Sequence, residues 1–156
     1  MLIQEIIENV KAYHKGEWEG KKIDEATTRD KILYGNPQQE CSGVVTTCWA
    51  SVDVIKKAAE LGANLIIAHE ALFWNHGDHT DWLIKEQNHT FIEKKKLLDA
   101  YGIVVWRDHD YIHSGIPMKD GSYTDGIFYG VAEKLGWTDY IRKDIHNPLY
   151  FEIPKT

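Results

Sequence analysis

The sequence predicts an α/β fold, a mostly parallel β-α-β-α-β sheet flanked by helices, and three observations carry that prediction. Two apolar runs opened by glycine, Leu65-Ile66-Ile67-Ala68 after Gly62 and Ile103-Val104-Val105-Trp106 after Gly102, have the unbroken apolar character of strands buried on both faces. Between them Phe91, Ile92, Leu97, Leu98 and Tyr101 mark a crossover helix, which makes the two strands parallel neighbours. Each strand also ends in a polar cluster, His69-Glu70 in one case and Arg107 to His113 in the other. Both clusters then emerge on one sheet edge, where open α/β sheets collect their ligands.

Taken in order, Met1 to His14 places Leu2, Ile3, Ile6, Ile7 and Val10 at helical spacing, while Glu5 and Glu8 interrupt any signal-peptide core. Gly16 to Asn36 is polar and turn-rich, a connector with one short ordered piece from Asp30 to Tyr34. Val44 to Trp49 favours a first buried strand, and Ser51 caps a helix whose stripe is Val54, Ile55, Ala58, Ala59 and Leu61. Residues 75 to 87, with His76, Asp78, His79, Asp81 and Trp82, read as a surface loop. Gly102 closes the crossover helix. Ser114 to Tyr123 is turn-rich, Thr124 or Asp125 caps a helix running to Gly136, and Pro148 to Pro154 is extended.

Bulk properties narrow the function. At 156 residues the expectation is one domain, residues 1–156. A net charge of -6 argues against a nucleic-acid backbone as partner, and Lys21-Lys22 and Lys94-Lys95-Lys96 read as a solvated linker and helix face. No apolar run approaches the ~20 residues of a membrane span, so a cytoplasmic protein that engages no membrane is expected. Cys41 and Cys48 fit no redox or zinc pair; Cys48 reads as a small buried residue and Cys41 as exposed.

The chemistry rests on histidine. Six of the eight fall between His69 and His113, and imidazole with carboxylate at converging strand ends suits Zn, Mn, Fe or Ni. His69 and His109, at strand ends, are candidate ligands, whereas His14, His89 and His146 read as packing or surface residues. His69 and Glu70 are adjacent, so on a regular strand they face opposite ways and reach one centre only if the strand ends between them; otherwise they serve two metals. His109 and His113 stand four apart, which on one helical turn brings both rings to one side. Phosphate-binding glycine loops and a Gly-x-Ser-x-Gly elbow do not occur, which leaves metal-activated water as the chemistry with residues to support it. Glu70 and Asp110 are the candidate general bases, and Arg107 either holds an anionic small-molecule substrate or forms a rim ion pair.

Gly43 to Trp49, Gly62 to Glu70, Val105 to His113 and Asp125-Gly126-Ile127 together resemble the Nif-three-like family, whose members are dinuclear-metal proteins described as type-II GTP cyclohydrolase I homologues. The likeness covers most of residues 30 to 137. It implies an α/β sheet, two metals in a cleft, and homo-oligomers, toroidal hexamers made of dimers. Where the family has His-His-Pro this chain has His69-Glu70-Ala71, so Glu70 takes the second ligand position. Where the family has an aspartate four residues after a histidine, this chain has His113 after His109. The family's C-terminal His and Glu have no counterpart after His146, so the chain is expected to be a shortened relative or a fragment that self-associates. The resemblance implies a metal-dependent hydrolase or cyclohydrolase acting on a small, nucleotide-like substrate, with His69, Glu70, His109 and His113 as metal ligands. The alternative is a non-catalytic metal-binding scaffold or regulatory interaction protein.

Overall fold

The computed structural model describes residues 1–74, 79–142 and 150–154. In chain order the first elements are α1 (Ile3–Tyr13), β1 (Glu17–Trp18), β2 (Lys21–Lys22), β3 (Ile32–Tyr34), β4 (Val44–Thr47), α2 (Val52–Glu60) and β5 (Leu65–Ala68). Then come α3 (Asp81–Lys85), α4 (His89–Tyr101), β6 (Val104–Arg107), α5 (Asp110–Ser114), β7 (Ile116–Pro117), β8 (Tyr123–Thr124) and α6 (Gly126–Leu135). The chain divides into two units, Met1–Asn9 with Glu25–His109 and Val10–Asp24 with Asp110–Thr156.

The first unit is built on a four-stranded sheet in the order β3-β6-β5-β4. β4, β5 and β6 run parallel, Val44 opposite Leu65 and Leu65 opposite Val104, and β3 joins β6 antiparallel. The expected α/β architecture is therefore present, with one antiparallel strand added. Side chains alternate across a strand, so Ile66, Ala68 and Val105 share a face with Ile55 and Ala58 of α2 and Leu98 of α4 in one buried core. Leu65, Val104 and Trp106 are buried on the opposite face. Local signals fix the helix ends. Ser51 caps α2 by accepting from the Val54 N–H, and Asn88 caps α4 at Phe91. Gly102 ends α4 at φ 61°, the left-handed conformation glycine adopts without steric cost.

The second unit carries two small hairpins, β1-β2 and β7-β8, with α5 and α6. A Cβ on Gly126 would lie 2.9 Å from Ile112 Cγ1 and Ile116 Cγ2, so the start of α6 approaches α5 as closely as it does because that position has no side chain. Asp125 caps α6, its Oδ1 accepting from the N–H groups of Ile127 and Phe128. No helix among the described residues is long and apolar enough to cross a membrane.

Several expectations need correction. β4 is an edge strand with alternating exposure, Val44 being 45% exposed, and Cys48 beyond it is exposed rather than buried. Successive side chains of a strand point to opposite faces, and here the row of Val44 and Thr46 faces solvent while Val45 and Thr47 are half-buried. Cys41, expected exposed, is half-buried. The connector from Gly16 to Asn36 contains the β1-β2 hairpin and β3, a full member of the sheet. The expected loop over 75–87 contains α3, whose Leu83 is buried; residues 75–78, including His76 and Asp78, lie outside the described residues. The half-buried Lys94, expected on a solvated face, donates from Nζ to the Leu72 carbonyl at 2.6 Å and fastens the segment after β5. Phe151 in the terminal segment already forms a bridge with Ile141, while His146, Pro148-Leu149 and Lys155-Thr156 lie outside the described residues.

Candidate metal centre

In the first unit, His69 and His109 follow the carboxyl ends of the adjacent parallel strands β5 and β6. Their rings stack, with centroids 4.6 Å apart and planes 7° from parallel. The His69 Nδ1 lies 3.1 Å from the Asp108 carbonyl oxygen. A carbonyl only accepts, so Nδ1 carries the hydrogen and Nε2 carries the ring's lone pair, the form in which imidazole ligates a cation. The His69 N–H in turn donates to the Thr47 carbonyl, and the Glu70 N–H to Cys48. The two bonds tie the residues just past β5 to the end of β4 and hold Glu70 beside Cys48. Burial raises the Cys48 thiol pKa above its ordinary value, and the Glu70 carboxylate adds to that rise.

The strap Arg107-Asp108-His109 is held from both sides. The Asp108 N–H donates to Ala68, and the Arg107 N–H donates to Lys31. Arg107 is 2% exposed and its Nε donates to the Arg29 carbonyl at 2.7 Å, so the side chain expected at a substrate or a rim is packed against the segment before β3.

In the second unit, His113 lies on α5, four residues after His109. Its Nδ1 is 2.7 Å from Asp125 Oδ2, and its ring lies 5.8 Å from that of Phe128. The carboxylate therefore caps α6 with one oxygen and orients His113 with the other, an arrangement that leaves Nε2 as the ligating nitrogen. Asp110 opens α5. Sequence reasoning saw Asp125 as a cap alone; the run Asp125-Gly126-Ile127 was the signal that it does more.

Among the described residues, the first unit supplies His69 and His109 and the second supplies His113 as candidate metal donors, and Glu70 is not among them. The chemistry of the donor set fits a borderline divalent cation: three imidazoles, two of them with Nδ1 committed to an oxygen acceptor.

Comparison with known proteins agrees with the fold. A Bacillus cereus protein related to NIF3 superposes with a TM-score of 0.60 at 21% identity, covering 89% of this chain and 34% of that one. Staphylococcus aureus protein SA1388 gives 0.60 at 19% identity, covering 92% and 34%. Reduced HcgD from Methanocaldococcus jannaschii gives 0.54 at 18% identity, covering 92% and 61%. The chain thus spans about a third of the length of the first two, and at these identities the likeness is one of fold. No curated protein matches the sequence. The family model for DUF34/NIF3, NGG1p interacting factor 3, matches residues 21–99, just over half of the sequence and all of β3 to α3, and by that match the chain belongs to the DUF34/NIF3 family.

Proposed function

We propose that this protein holds a divalent metal ion through His69, His109 and His113, with Glu70 as a further oxygen donor, and uses it to hydrolyse a small, nucleotide-like substrate. The observation that carries the reading is the stacked pair of His69 and His109 at the ends of β5 and β6, with the His69 tautomer set by the Asp108 carbonyl. Family membership supports it. A bound divalent cation lowers the pKa of a coordinated water towards ~7 and polarises the group under attack. The protein's own residues supply the rest. Asp108 and Asp125 keep two imidazoles in the tautomer that would ligate the ion, and Glu70 or Asp110, which flank the ligand histidines in the chain, would take the proton of the activated water. Arg107, the candidate for an anionic substrate, also ties the strap to the segment before β3 through its Nε bond to the Arg29 carbonyl.

The test is metal uptake, measured by elemental analysis after loading with Zn, Mn, Fe or Ni. His69→Ala and His113→Ala should each lower occupancy severely, and the double variant should lose little more, because the two histidines serve one cluster. His89→Ala, whose side chain is 92% exposed, should match the wild type. Additive losses from His69 and His113 would refute a shared centre. A wild-type protein that takes up none of these metals would sink the whole reading. Metal without turnover of any phosphate ester, cyclic nucleotide or amide would leave the scaffold alternative standing.

A further inference from the structure

We propose that Asp30 is a positioning residue for the metal centre: its buried carboxylate holds the main chain of His109, and through the strap it sets the stacked geometry of both His109 and His69. The inference rests on the metal reading of those two histidines.

Asp30 is 4% exposed, and its neighbour Thr28 is 3% exposed. Burying a carboxylate is costly unless its oxygens are bonded, so one fixed at this position should hold something. Asp30 Oδ2 accepts from the Thr28 hydroxyl at 2.6 Å, and the same hydroxyl accepts from the Asp30 N–H at 3.1 Å. Those two bonds are local and would satisfy an ordinary turn. Oδ1 does something a turn does not need: it accepts from the His109 N–H at 2.6 Å, across 79 positions of sequence. The Thr28 bonds therefore orient the carboxylate, and the carboxylate grips the residue that carries a ligand ring.

The grip reaches both rings. Arg107 is tied to Arg29 and Lys31, Asp108 to Ala68, and the Asp108 carbonyl receives the His69 Nδ1–H. Residues 107–109 therefore move as one piece between the segment before β3 and the end of β5. Releasing His109 from Asp30 would shift its ring against His69 and slacken the bond that fixes the His69 tautomer. Such outer partners of ligand histidines govern affinity without touching the ion.

The experiment uses the full chain and Co(II) as probe, with affinity and the ligand-field absorption spectrum as readouts. Asp30→Ala should weaken Co(II) binding by about 10–100-fold, the range for lost outer partners, and change the spectrum. Asp30→Asn should restore both, because its amide oxygen can still accept from His109 while its amide nitrogen donates to the Thr28 hydroxyl. Leu98→Ala, in the core under α4, is the control for stability alone: it should lower the unfolding midpoint yet leave affinity and spectrum unchanged. If Asp30→Ala does not fold, Thr28→Val takes its place, removing the hydroxyl that orients Oδ2, and should weaken binding by a smaller factor with the same spectral change. A folded Asp30→Ala, or failing that Thr28→Val, that binds Co(II) as the wild type does would overturn the role of Asp30 alone. Absence of Co(II) binding in the wild type would overturn the metal reading beneath it.

Discussion

Removing the Asp125 carboxylate should cost the second unit two interactions at once, and the two can be separated. Oδ1 caps α6 through Ile127 and Phe128, each at 3.0 Å, and loss of such a cap costs about 1 kcal/mol. Oδ2 bonds His113 at 2.7 Å with side chains only 2% and 18% exposed, so water replaces it poorly, and a hydrogen bond to a charged group contributes about 1.5–3 kcal/mol. Asp125→Ala should therefore destabilise by about 3 kcal/mol, read from urea unfolding followed by circular dichroism. Asp125→Asn separates the terms. Asparagine caps as well as aspartate, so most stability should survive, but keeping the cap turns the amide nitrogen towards His113. The imidazole must then accept at Nδ1 and carry its hydrogen on Nε2, the nitrogen proposed to bind metal. Long-range nitrogen–proton correlation spectra report that tautomer directly. An Asp125→Ala loss below about 0.5 kcal/mol, within the range of ordinary surface substitutions, would refute the dual role. So would an Asp125→Asn protein in which His113 keeps its Nδ1 hydrogen.

Two further outcomes follow from perturbed groups. The Cys48 thiol is exposed yet has its pKa raised by burial and by Glu70, so it should react slowly with a disulfide reagent near neutral pH; Glu70→Gln should speed that reaction a few-fold, and an unchanged rate would show that the carboxylate does not govern the thiol. The Tyr34 hydroxyl is pushed up to about 12 by burial and by its hydrogen bond to Asp99. Because the folded state holds this proton more tightly than the unfolded chain does, stability should fall as pH rises from about 10 towards 12, and Tyr34→Phe should flatten that part of the denaturation profile.

The parts of the fold that were legible in the sequence are those specified by near neighbours. Leu65 to Ala68 and Val104 to Trp106 are buried on both faces, so their composition alone marks them as central parallel strands, and Ser51, Gly102 and Asp125 announce helix ends by capping chemistry. What escaped depends on partners far away in the chain. Val44 to Thr47 has the same β-branched content as a buried strand, and it is an edge because among the described residues it pairs with β5 alone. Asp30 to Tyr34 was legible as a short ordered piece, but that Ile32 to Tyr34 is a strand of the sheet was not, because β6 supplies its ladder from far along the chain. α3 has five residues, too few for periodicity to register. At the candidate site, the histidines were visible as residue types at strand ends. The carboxylates that orient them were not, since Asp30 meets His109 and Asp125 meets His113 only once distant segments pack.

The antiparallel strand β3 bears on the order in which the first unit assembles. β4, α2, β5, α3, α4 and β6 follow one another in the chain, so each parallel pairing closes over a single crossover. β3 precedes all of them yet pairs with the last, and the Thr28-Asp30 turn joins the strap by the same long excursion. Loop-closure entropy and high sequence separation place such a contact late on the route to the native state, after the parallel core has formed. The stacked geometry of the two histidines thus depends on a contact that spans 79 positions, a longer loop than either parallel pairing of the sheet closes.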